Sequence, residues 1–416
     1  MFGTLLPFLM FGILLAAVLA KPLARIPWLS LPVALVVLGF VSSEIWVGLG
    51  MDTGLRWEIL RDLVFYLLLP ILIFEAAINI DTGWLRREAM LISALSVPLL
   101  LAAAWIAAGI IQLLMGDSLG GNWALALLIG SMICATDPAM ISGLIEKNSG
   151  NIRVLRILEG ESKINDATTI TLFVMISSLL VAPEVEIGGW MIAGRFALTL
   201  LGGAAIGVVM GWLLDLVIAP ANDKVLSTSA TLVLAFSSFW IGEHLLGLSG
   251  VVATLTAGVT VAWRQRKHRS EEDIAFALDS WQILGFCANA MLFFAVGMSI
   301  TMQMFQDHWL AMLFGILAAL LSRAAIIFLG IGPLSRLPRV GPLSFSEQNV
   351  IMWGGIRGAV AIALALSLSM DIPNWYAIQS AVYGVALFSL LVQTPLLSRL
   401  AAGRGKPEST KTPANA

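Results

Sequence analysis

The sequence predicts an all-α polytopic membrane protein, one that crosses the bilayer many times. Hydrophobic residues make up 59% of the 416 residues and charged residues only 12%, about half of the ~25% usual in soluble domains. The mean hydropathy is +0.92. No soluble core could bury this much apolar surface, so the surrounding solvent must be lipid. The composition excludes a cytosolic enzyme and a secreted disulfide-rich domain, and the net charge of −2 offers no basic face for a nucleic acid.

Apolar stretches of about twenty residues, the length of a membrane-spanning helix, recur between short polar breaks. They predict thirteen transmembrane helices, near 2–20, 26–43, 58–79, 89–114, 122–146, 153–182, 188–219, 225–243, 248–264, 276–302, 308–332, 342–369 and 375–400. These helices form one predicted transmembrane domain over residues 1–402. The polar segment 403–416 that follows is expected to be a short disordered cytoplasmic tail.

The basic residues predict the orientation, because cytoplasmic loops carry an excess of Lys and Arg. Most of the 24 Lys and Arg residues fall in alternate loops and in the tail, whereas the opposite loops contain only Arg56 and Arg61. This alternation places the N-terminus outside and the C-terminus in the cytoplasm. The first apolar segment lacks a basic start and is followed by further spans, so we expect a retained helix rather than a signal peptide.

Two interruptions at matching positions predict an internal repeat. The fifth span is broken at residues 135–138 and the twelfth at residues 354–358. Transporters are often built from inverted repeats with broken helices in corresponding positions. An offset of seven spans reverses orientation, so 1–182 and 225–402 are expected to form two inverted six-helix repeats, joined by a linker helix over 188–219. Two unrelated kinks are the alternative.

Other features are expected to be structural. Gly203, Gly207 and Gly211 recur every four residues in the linker helix, which is typical of a helix-packing face. Cys134 and Cys287 lie inside apolar runs and are predicted to be buried small residues rather than a disulfide. The histidines have no metal-ligand spacing, and no cofactor is expected.

The densest group of polar residues at membrane depth lies in the sixth span. Polar and ionisable residues are energetically costly inside a membrane, so each is expected to have a structural or functional role. Ser162 and Asp166 are four residues apart and present two oxygen ligands on one helix face, while Glu161 and Asn165 share the next face. Asp166 is the candidate site for both a cation and a proton. The alternative is a structural carboxylate bonded to a neighbouring helix.

The break in the fifth span supplies further oxygen atoms. Pro138 cannot donate a backbone hydrogen bond and disfavours helical geometry in the residue before it. The carbonyl groups of Ala135 and Thr136 are therefore expected to face a cavity and to bind a hard cation. Asp137 either binds the ion or caps the second half of the broken helix, and the cap is the favoured interpretation.

Four more polar residues lie within spans. Glu75 in the third span is a carboxylate that is expected to face the cavity. Arg323 is isolated in the eleventh span and is expected to form an architectural ion pair with Glu161. Arg357 lies among the glycines of the second break, where a cation meets the carbonyl ends of half-helices. Asn289 in the tenth span is predicted to bond across a helix interface.

A hard-cation site with one titratable carboxylate in mid-membrane is typical of ion–proton exchange. Asp166 holds either a proton or a metal ion, and movement of one helix bundle against the other would expose it to each side in turn. An enzyme would need a nucleophile–base pair or His and Cys ligands in the membrane. The chain is therefore not expected to be an enzyme, and a membrane-embedded enzyme is the least favoured alternative.

The same residues carry a family resemblance. The sequence resembles the NhaP-type sodium/proton antiporters of the cation:proton antiporter superfamily along nearly all of its length. The matching stretches, in the expected order, are Leu72-Ile73-Phe74-Glu75-Ala76, Ala135-Thr136-Asp137-Pro138, Leu158-Glu159-Gly160-Glu161-Ser162, Asn165-Asp166-Ala167, Arg323 and Gly354-Gly355-Ile356-Arg357-Gly358. Each motif alone is weakly specific, whereas the ordered set is specific.

The resemblance implies exchange of sodium for protons, a part in pH homeostasis, a bacterial or archaeal cell (inner) membrane, a homodimer, and an elevator-like movement of a six-helix core. The expected partners are monovalent cations, protons and lipid, and no nucleic acid. Related antiporters that move net charge carry a second carboxylate where this chain has Asn165, so electroneutral 1:1 exchange is expected. An exchanger of the same fold that prefers potassium, or that takes lithium alongside sodium, is the alternative.

The resemblance also assigns residues to roles. It implies that sodium is bound by Asp166, Ser162, the Thr136 carbonyl, Glu75 and water. It implies a stabilising pair of Glu161 and Arg323 beside Asn165. Lys163 departs from the family, which usually has an apolar residue here. An ammonium facing the ion would repel sodium, so Lys163 is expected to turn toward Glu159 or away from the cavity.

Overall fold

The computed structural model describes residues 2–23, 30–50, 57–137, 152–181, 189–218, 223–331, 333 and 341–402. Within these ranges all regular structure is helical. Apart from the short helix Met302–Asp307, the helices correspond to the thirteen predicted segments, and the fourth begins at Thr82 rather than at its predicted start near residue 89. Pro138 with the second half of the fifth span, Arg56 with its loop, and the predicted tail 403–416 lie outside the described residues. The predicted fold class, an all-α polytopic membrane protein, is confirmed.

The segments are numbered α1 to α13 in chain order, and α12 has two halves. They are α1 (Phe2–Leu23), α2 (Leu31–Gly48), α3 (57–78), α4 (Thr82–Met115), α5 (Trp123–Cys134), α6 (Ile152–Val181), α7 (Gly189–Ile218), α8 (Lys224–Leu245), α9 (Gly250–His268), α10 (Glu271–Ser299), α11 (Trp309–Ile331), α12a (Phe345–Trp353), α12b (Ala359–Leu366) and α13 (375–402). Among the described helices, eight are long and apolar enough to cross a bilayer.

Side-chain caps fix where several helices begin, by satisfying backbone N–H groups that lack a helical partner. Asp81 accepts from the backbone nitrogen of Gly83 at 3.0 Å at the start of α4. Ser270 accepts from Asp273 at 3.2 Å at the start of α10. Ser344 begins α12a in a capping box with the glutamate three residues later. These polar residues interrupt the apolar pattern, so the helix borders follow from local chemistry.

The helices pack into two groups. In the first, the seven-helix group, α2 packs along α10, α7 along α9, and α3 against both α9 and α10. In the second, the six-helix group, α4 packs on α5 and α11, α6 on α4 and α5, and α11 on α13. Each predicted repeat thus contributes its first three helices to the seven-helix group and its last three to the six-helix group. The faces where the two groups meet surround the candidate site.

The glycines of the linker helix α7 form a packing face within the seven-helix group, and this prediction is confirmed. A Cβ atom on Gly203 would collide with the carbonyl oxygen of Ser249, and one on Gly211 would lie 2.8 Å from that of Ala257. Small residues allow the backbones of α7 and α9 to approach closely. This close contact packs α7 directly against α9.

Candidate functional site

The two broken segments cross each other at their breaks. The backbone nitrogen of Asp137 donates to the carbonyl of Ile356 at 2.7 Å, and the backbone nitrogen of Ala359 donates to Asp137 Oδ2 at 3.0 Å. A Cβ atom on Gly358 would collide with the Asp137 carboxylate, so only glycine fits there. Asp137 therefore caps α12b, the half-helix of the other broken segment. The half-helix directly after Asp137, for which the sequence predicted this cap, lies outside the described residues.

Arg357 binds the carbonyl ends at this crossing. It is 2% exposed and donates to the carbonyl oxygens of Ile133 at 2.9 Å, Ala319 at 3.1 Å and Gly355. Ile133 lies in the last turn of α5, and Gly355 follows α12a. Helix C-termini carry unsatisfied carbonyl groups and a partial negative charge. One guanidinium group thus neutralises the ends of two half-helices.

Glu161 and Arg323 form a buried ion pair between α6 and α11. Arg323 Nη2 donates to Glu161 Oε2 at 2.8 Å, and Nη1 donates to Oε1. Nη2 also donates to the carbonyl of Ile351 at 3.2 Å. The Glu161 side chain is 1% exposed and the Arg323 side chain is 5% exposed. This two-pronged geometry compensates both charges in the membrane interior.

A cavity of about 490 Å³ lies beside the crossing, between the two helix groups. Its walls come from α3 and α10 on one side and from α6, α12b and the break that follows α5 on the other. Among the described residues, the titratable side chains that line it are Glu75, Asp137, Glu159, Lys163 and Asp166. The cavity therefore brings together carboxylates from three separate segments of the chain.

Asp166 is the cavity carboxylate with the fewest compensating groups. It is 8% exposed, and its Oδ1 atom has no hydrogen-bond partner among the described residues. Burial of a polar atom without a partner is unfavourable. A cation or a proton bound at this carboxylate would supply the missing interaction.

Thr136 lines the same cavity as Asp166, and two buried residues of α6 hold it in place. The Ser162 hydroxyl donates to the Thr136 carbonyl oxygen at 2.5 Å, and Asn165 Nδ2 donates to Thr136 Oγ1 at 2.7 Å. Ser162 and Asn165 are buried but do not line the cavity. Of the predicted ion-binding residues, the wall thus holds Thr136, Glu75, Asp137 and Asp166, whereas Ser162 and Asn165 lie one layer behind it.

Glu75 reaches the cavity from α3. Asn79 Nδ2 donates to its Oε1 at 3.0 Å. Across from it, Gly285 of α10 leaves the space that this side chain needs, since a Cβ there would lie 2.8 Å from Glu75 Cγ. The third-span carboxylate therefore faces the cavity, as the sequence predicts.

The sequence interpretation missed one wall of the cavity. Leu278, Gln282, Gly285, Phe286 and Asn289 of α10 all line it. Gln282 was not singled out, and Asn289, which was predicted to bond across a helix interface, lies on the cavity wall. Spacings of three and four residues place these side chains on one helix face. That periodicity, with two amides in an apolar helix, is the signal that would have identified this wall.

Lys163 lies in the cavity wall as a partner of Glu159. Its Nζ atom donates to Glu159 Oε1 at 2.8 Å, and both residues line the cavity. The prediction that Lys163 turns toward Glu159 is confirmed.

Hydroxyl groups join the two helix groups beyond the cavity, toward the C-terminal ends of α6 and α10. The pairs are Thr171 with Ser249 at 2.7 Å, Ser299 with Tyr383 at 2.8 Å, and Thr301 with Tyr376 at 2.8 Å. These hydrogen bonds thus lie toward one end of the interface, and the cavity that Asp166 lines lies toward the other.

Comparisons with known proteins agree with this arrangement. The model of a family described as "Sodium/hydrogen exchanger, transmembrane" matches residues 9–403. The chain is 31% identical over 339 residues to the Na(+)/H(+) antiporter ApNhaP of Aphanothece halophytica. The matched region covers 80% of this chain and 63% of that relative. It is 29% identical over 345 residues to the Na(+)/H(+) antiporter NhaH of Halobacillus aidingensis, with 81% of each chain covered.

A solved structure has the same fold. The sodium proton antiporter MjNhaP1 of Methanocaldococcus jannaschii, determined at pH 8, matches with a TM-score of 0.79 at 19% sequence identity. The match covers 96% of this chain and 98% of that one. The likeness therefore extends over nearly the whole length of both chains.

Proposed function

Because the chain belongs to the transmembrane sodium/hydrogen exchanger family, we propose that it exchanges sodium for protons across the membrane. The observation that carries this proposal is the Asp166 carboxylate, which lines a cavity between two helix groups and has an oxygen without a hydrogen-bond partner among the described residues. A carboxylate of this kind binds a hard cation or a proton, and the two exclude each other. Competition for one group couples the two fluxes.

Asp166 is the alternating group in this proposal, and its neighbours complete the site. The Thr136 carbonyl and Glu75 supply further oxygen atoms, with water filling the remaining positions. Ser162 and Asn165 act through Thr136, because their hydrogen bonds fix its carbonyl and its hydroxyl. Asp137 caps α12b and adds another carboxylate to the cavity wall.

Movement of the six-helix group against the seven-helix group would expose Asp166 to each side in turn. On the predicted topology the cavity lies toward the cytoplasm, and the three hydroxyl pairs lie toward the outside. A hydrogen bond between neutral groups contributes only about 0.5–1.5 kcal/mol net. Such pairs can close the outer side and still release it in each cycle.

We also propose the assembly and the placement that the sequence favours. The protein is a multi-pass membrane protein, and the basic loops support an N-terminus outside and a C-terminus in the cytoplasm of a cell (inner) membrane. Residues 1–182 and 225–402 act as inverted repeats around the linker helix. The assembly is a homodimer. Transport requires no chemical step and no cofactor beyond the transported ions.

The test is ion-driven proton release in everted membrane vesicles that contain the protein. A proton gradient quenches a pH-sensitive dye, and addition of sodium should restore its fluorescence, whereas choline should not. Lithium and potassium are added in separate runs. A potassium response larger than the sodium response would favour the potassium/proton exchanger, and no response to any monovalent cation would overturn the proposal.

A further inference from the structure

The ion pair between Lys163 and Glu159 is the feature of the cavity that exchange at Asp166 does not explain. Among the described residues that line the cavity, Lys163 is the one cationic side chain, and it stands with four carboxylates. Its side chain is 7% exposed, and that of Glu159 is 27% exposed. A fixed positive charge in the wall of a cation site opposes the binding of any cation.

We propose that this pair sets the sodium affinity of the cavity: the charge of Lys163 weakens sodium binding, and Glu159 limits that effect by holding the ammonium group away from Asp166. The inference rests on the proposed sodium/proton exchange. It makes Lys163 and Glu159 affinity-determining residues and leaves Asp166 as the group that binds the ion.

The spacing on α6 places the three side chains along one wall. Glu159, Lys163 and Asp166 follow each other at intervals of four and three residues, so they share a helix face, and all three line the cavity. Charges interact more strongly at a partly buried site than in water, because screening is weaker there. The Lys163 ammonium therefore acts on a cation bound in the cavity even while Glu159 holds it.

The length of the lysine side chain allows its ammonium group to reach other carboxylates once Glu159 no longer holds it. Lysine has a flexible four-carbon stem with a compact charge at its end. Without the Glu159 charge, the nearby anionic partners that remain in the cavity include Asp166 and Glu75. The freed ammonium would then move toward them and compete with sodium as a tethered cation.

The two single substitutions must therefore act in opposite directions. Lys163→Gln leaves an additional uncompensated carboxylate in the cavity and should tighten sodium binding. Glu159→Gln releases the ammonium and should weaken it. The double variant restores the original net charge and should return close to the starting affinity. A pair that only stabilised the α6 helix would instead make both single variants less stable, with no opposite shift in affinity.

The experiment compares these variants in proteoliposomes at one fixed pH, with both the sodium concentration for half-maximal rate and the maximal rate measured. We expect Lys163→Gln to lower the half-maximal sodium concentration by roughly threefold or more, and Glu159→Gln to raise it by roughly threefold or more. The double variant and the charge-conserving Lys163→Arg should lie within about twofold of the unsubstituted protein. Maximal rates should change less than the half-maximal concentrations.

A matched control comes from an exposed pair outside the cavity. Lys224 Nζ lies 2.9 Å from Glu272 Oε1, and the two side chains are 42% and 81% exposed. Lys224→Gln makes the same chemical change without touching the ion path, so it should leave the half-maximal sodium concentration unchanged.

Sodium-dependent melting in detergent gives the affinity independently of transport, since a ligand of the folded state raises the melting temperature by mass action. Shifts in the same direction for both single variants, or no shift in either, would overturn the role of the pair. If one single variant does not fold, the sign of the shift in the other still decides. Absence of sodium-dependent exchange in the unsubstituted protein would instead overturn the proposed function itself.

Discussion

The buried charges of this protein form two sets that differ in how they are compensated. At the crossing, Glu161 is paired with Arg323, and Arg357 donates to three backbone carbonyls. In the cavity a few residues away, Asp166 has an oxygen without a hydrogen-bond partner in the described part of the chain. Glu161 and Asp166 lie on the same helix, α6, so burial alone does not distinguish them. The ion partner does, because Glu161 is paired with Arg323, whereas no ion pair joins Asp166 in the described part of the chain.

This difference has an energetic consequence. Removing one member of a buried ion pair leaves an uncompensated charge and costs about 3–5 kcal/mol. Neutralising a buried carboxylate that lacks a full set of partners relieves an unfavourable charge instead. Substitutions in the two sets should therefore separate transport from stability, and the predictions that follow test this separation.

The largest effect is expected at Asp166. Asp166→Asn keeps the size of the side chain but removes the group that binds sodium or a proton, so exchange should be abolished. The melting temperature in detergent should be equal to or higher than that of the unsubstituted protein, because a buried charge has been removed. Dye dequenching in everted vesicles measures the first outcome. Normal sodium-dependent dequenching in this variant would show that another residue binds the ion.

The crossing should respond in the opposite way. Arg323→Ala and Glu161→Ala each leave one charge of the pair uncompensated, and each should lower the free energy of unfolding by about 3–5 kcal/mol. Thermal melting in detergent measures the loss. Arg61, whose pair with Asp62 is about half exposed, offers a matched control, since Arg61→Ala should change stability by no more than about 1 kcal/mol. A fully stable but inactive Arg323→Ala would assign this residue to transport.

Hydropathy and local chemistry were sufficient to predict the helices and both breaks. Thirteen apolar stretches match thirteen helical segments, because a spanning helix must be long and apolar whatever its neighbours are. The breaks were readable because proline and clustered glycines interrupt helices locally. The meeting of Thr136, Asp166 and Glu75 followed from the ordered motifs of a known family.

Other contacts could not be read from the sequence. Asp137 caps α12b through Ala359, a residue more than two hundred positions away. The rotation of α10, which turns Gln282 into the cavity, is set by packing against α2 and α3. The orientation of Ser162 toward the Thr136 carbonyl likewise depends on how two helices meet. Such details come from tertiary packing, which the apolar pattern of a single helix does not encode.

A smaller effect concerns competition at the cavity carboxylate. Sodium favours the ionised form of Asp166, and acidification favours the protonated form, so transport should fall as the pH is lowered. Raising sodium should move the half-maximal pH downward, by about one unit for each tenfold increase while one ion and one proton compete for one group. Initial exchange rates in proteoliposomes, taken over a grid of pH and sodium concentration, measure this shift. A half-maximal pH that does not depend on sodium would indicate a separate pH sensor.

The smallest effect is expected from the membrane potential, because transport should be electroneutral. Asn165 is an amide and cannot take up a proton, and Glu161 is paired with Arg323, so neither is proposed to carry the transported proton. With Asp166 as the one group that alternates between one sodium ion and one proton, the loaded protein has the same charge in both cases.

Moving one charge across the membrane is worth about 2.3 kcal/mol per 100 mV, so a cycle that carries net charge must respond to voltage. The measurement is sodium/proton exchange in liposomes whose potential is set by potassium and valinomycin, at zero and at strongly negative inside. Equal rates, together with no sodium-driven current on a solid-supported membrane, are expected. A rate that scales with potential, or a sustained current, would mean that a second cavity carboxylate such as Glu75 also carries protons. Glu75 would then belong with Asp166 among the charges whose partners change during the cycle, and not with the paired charges of the crossing.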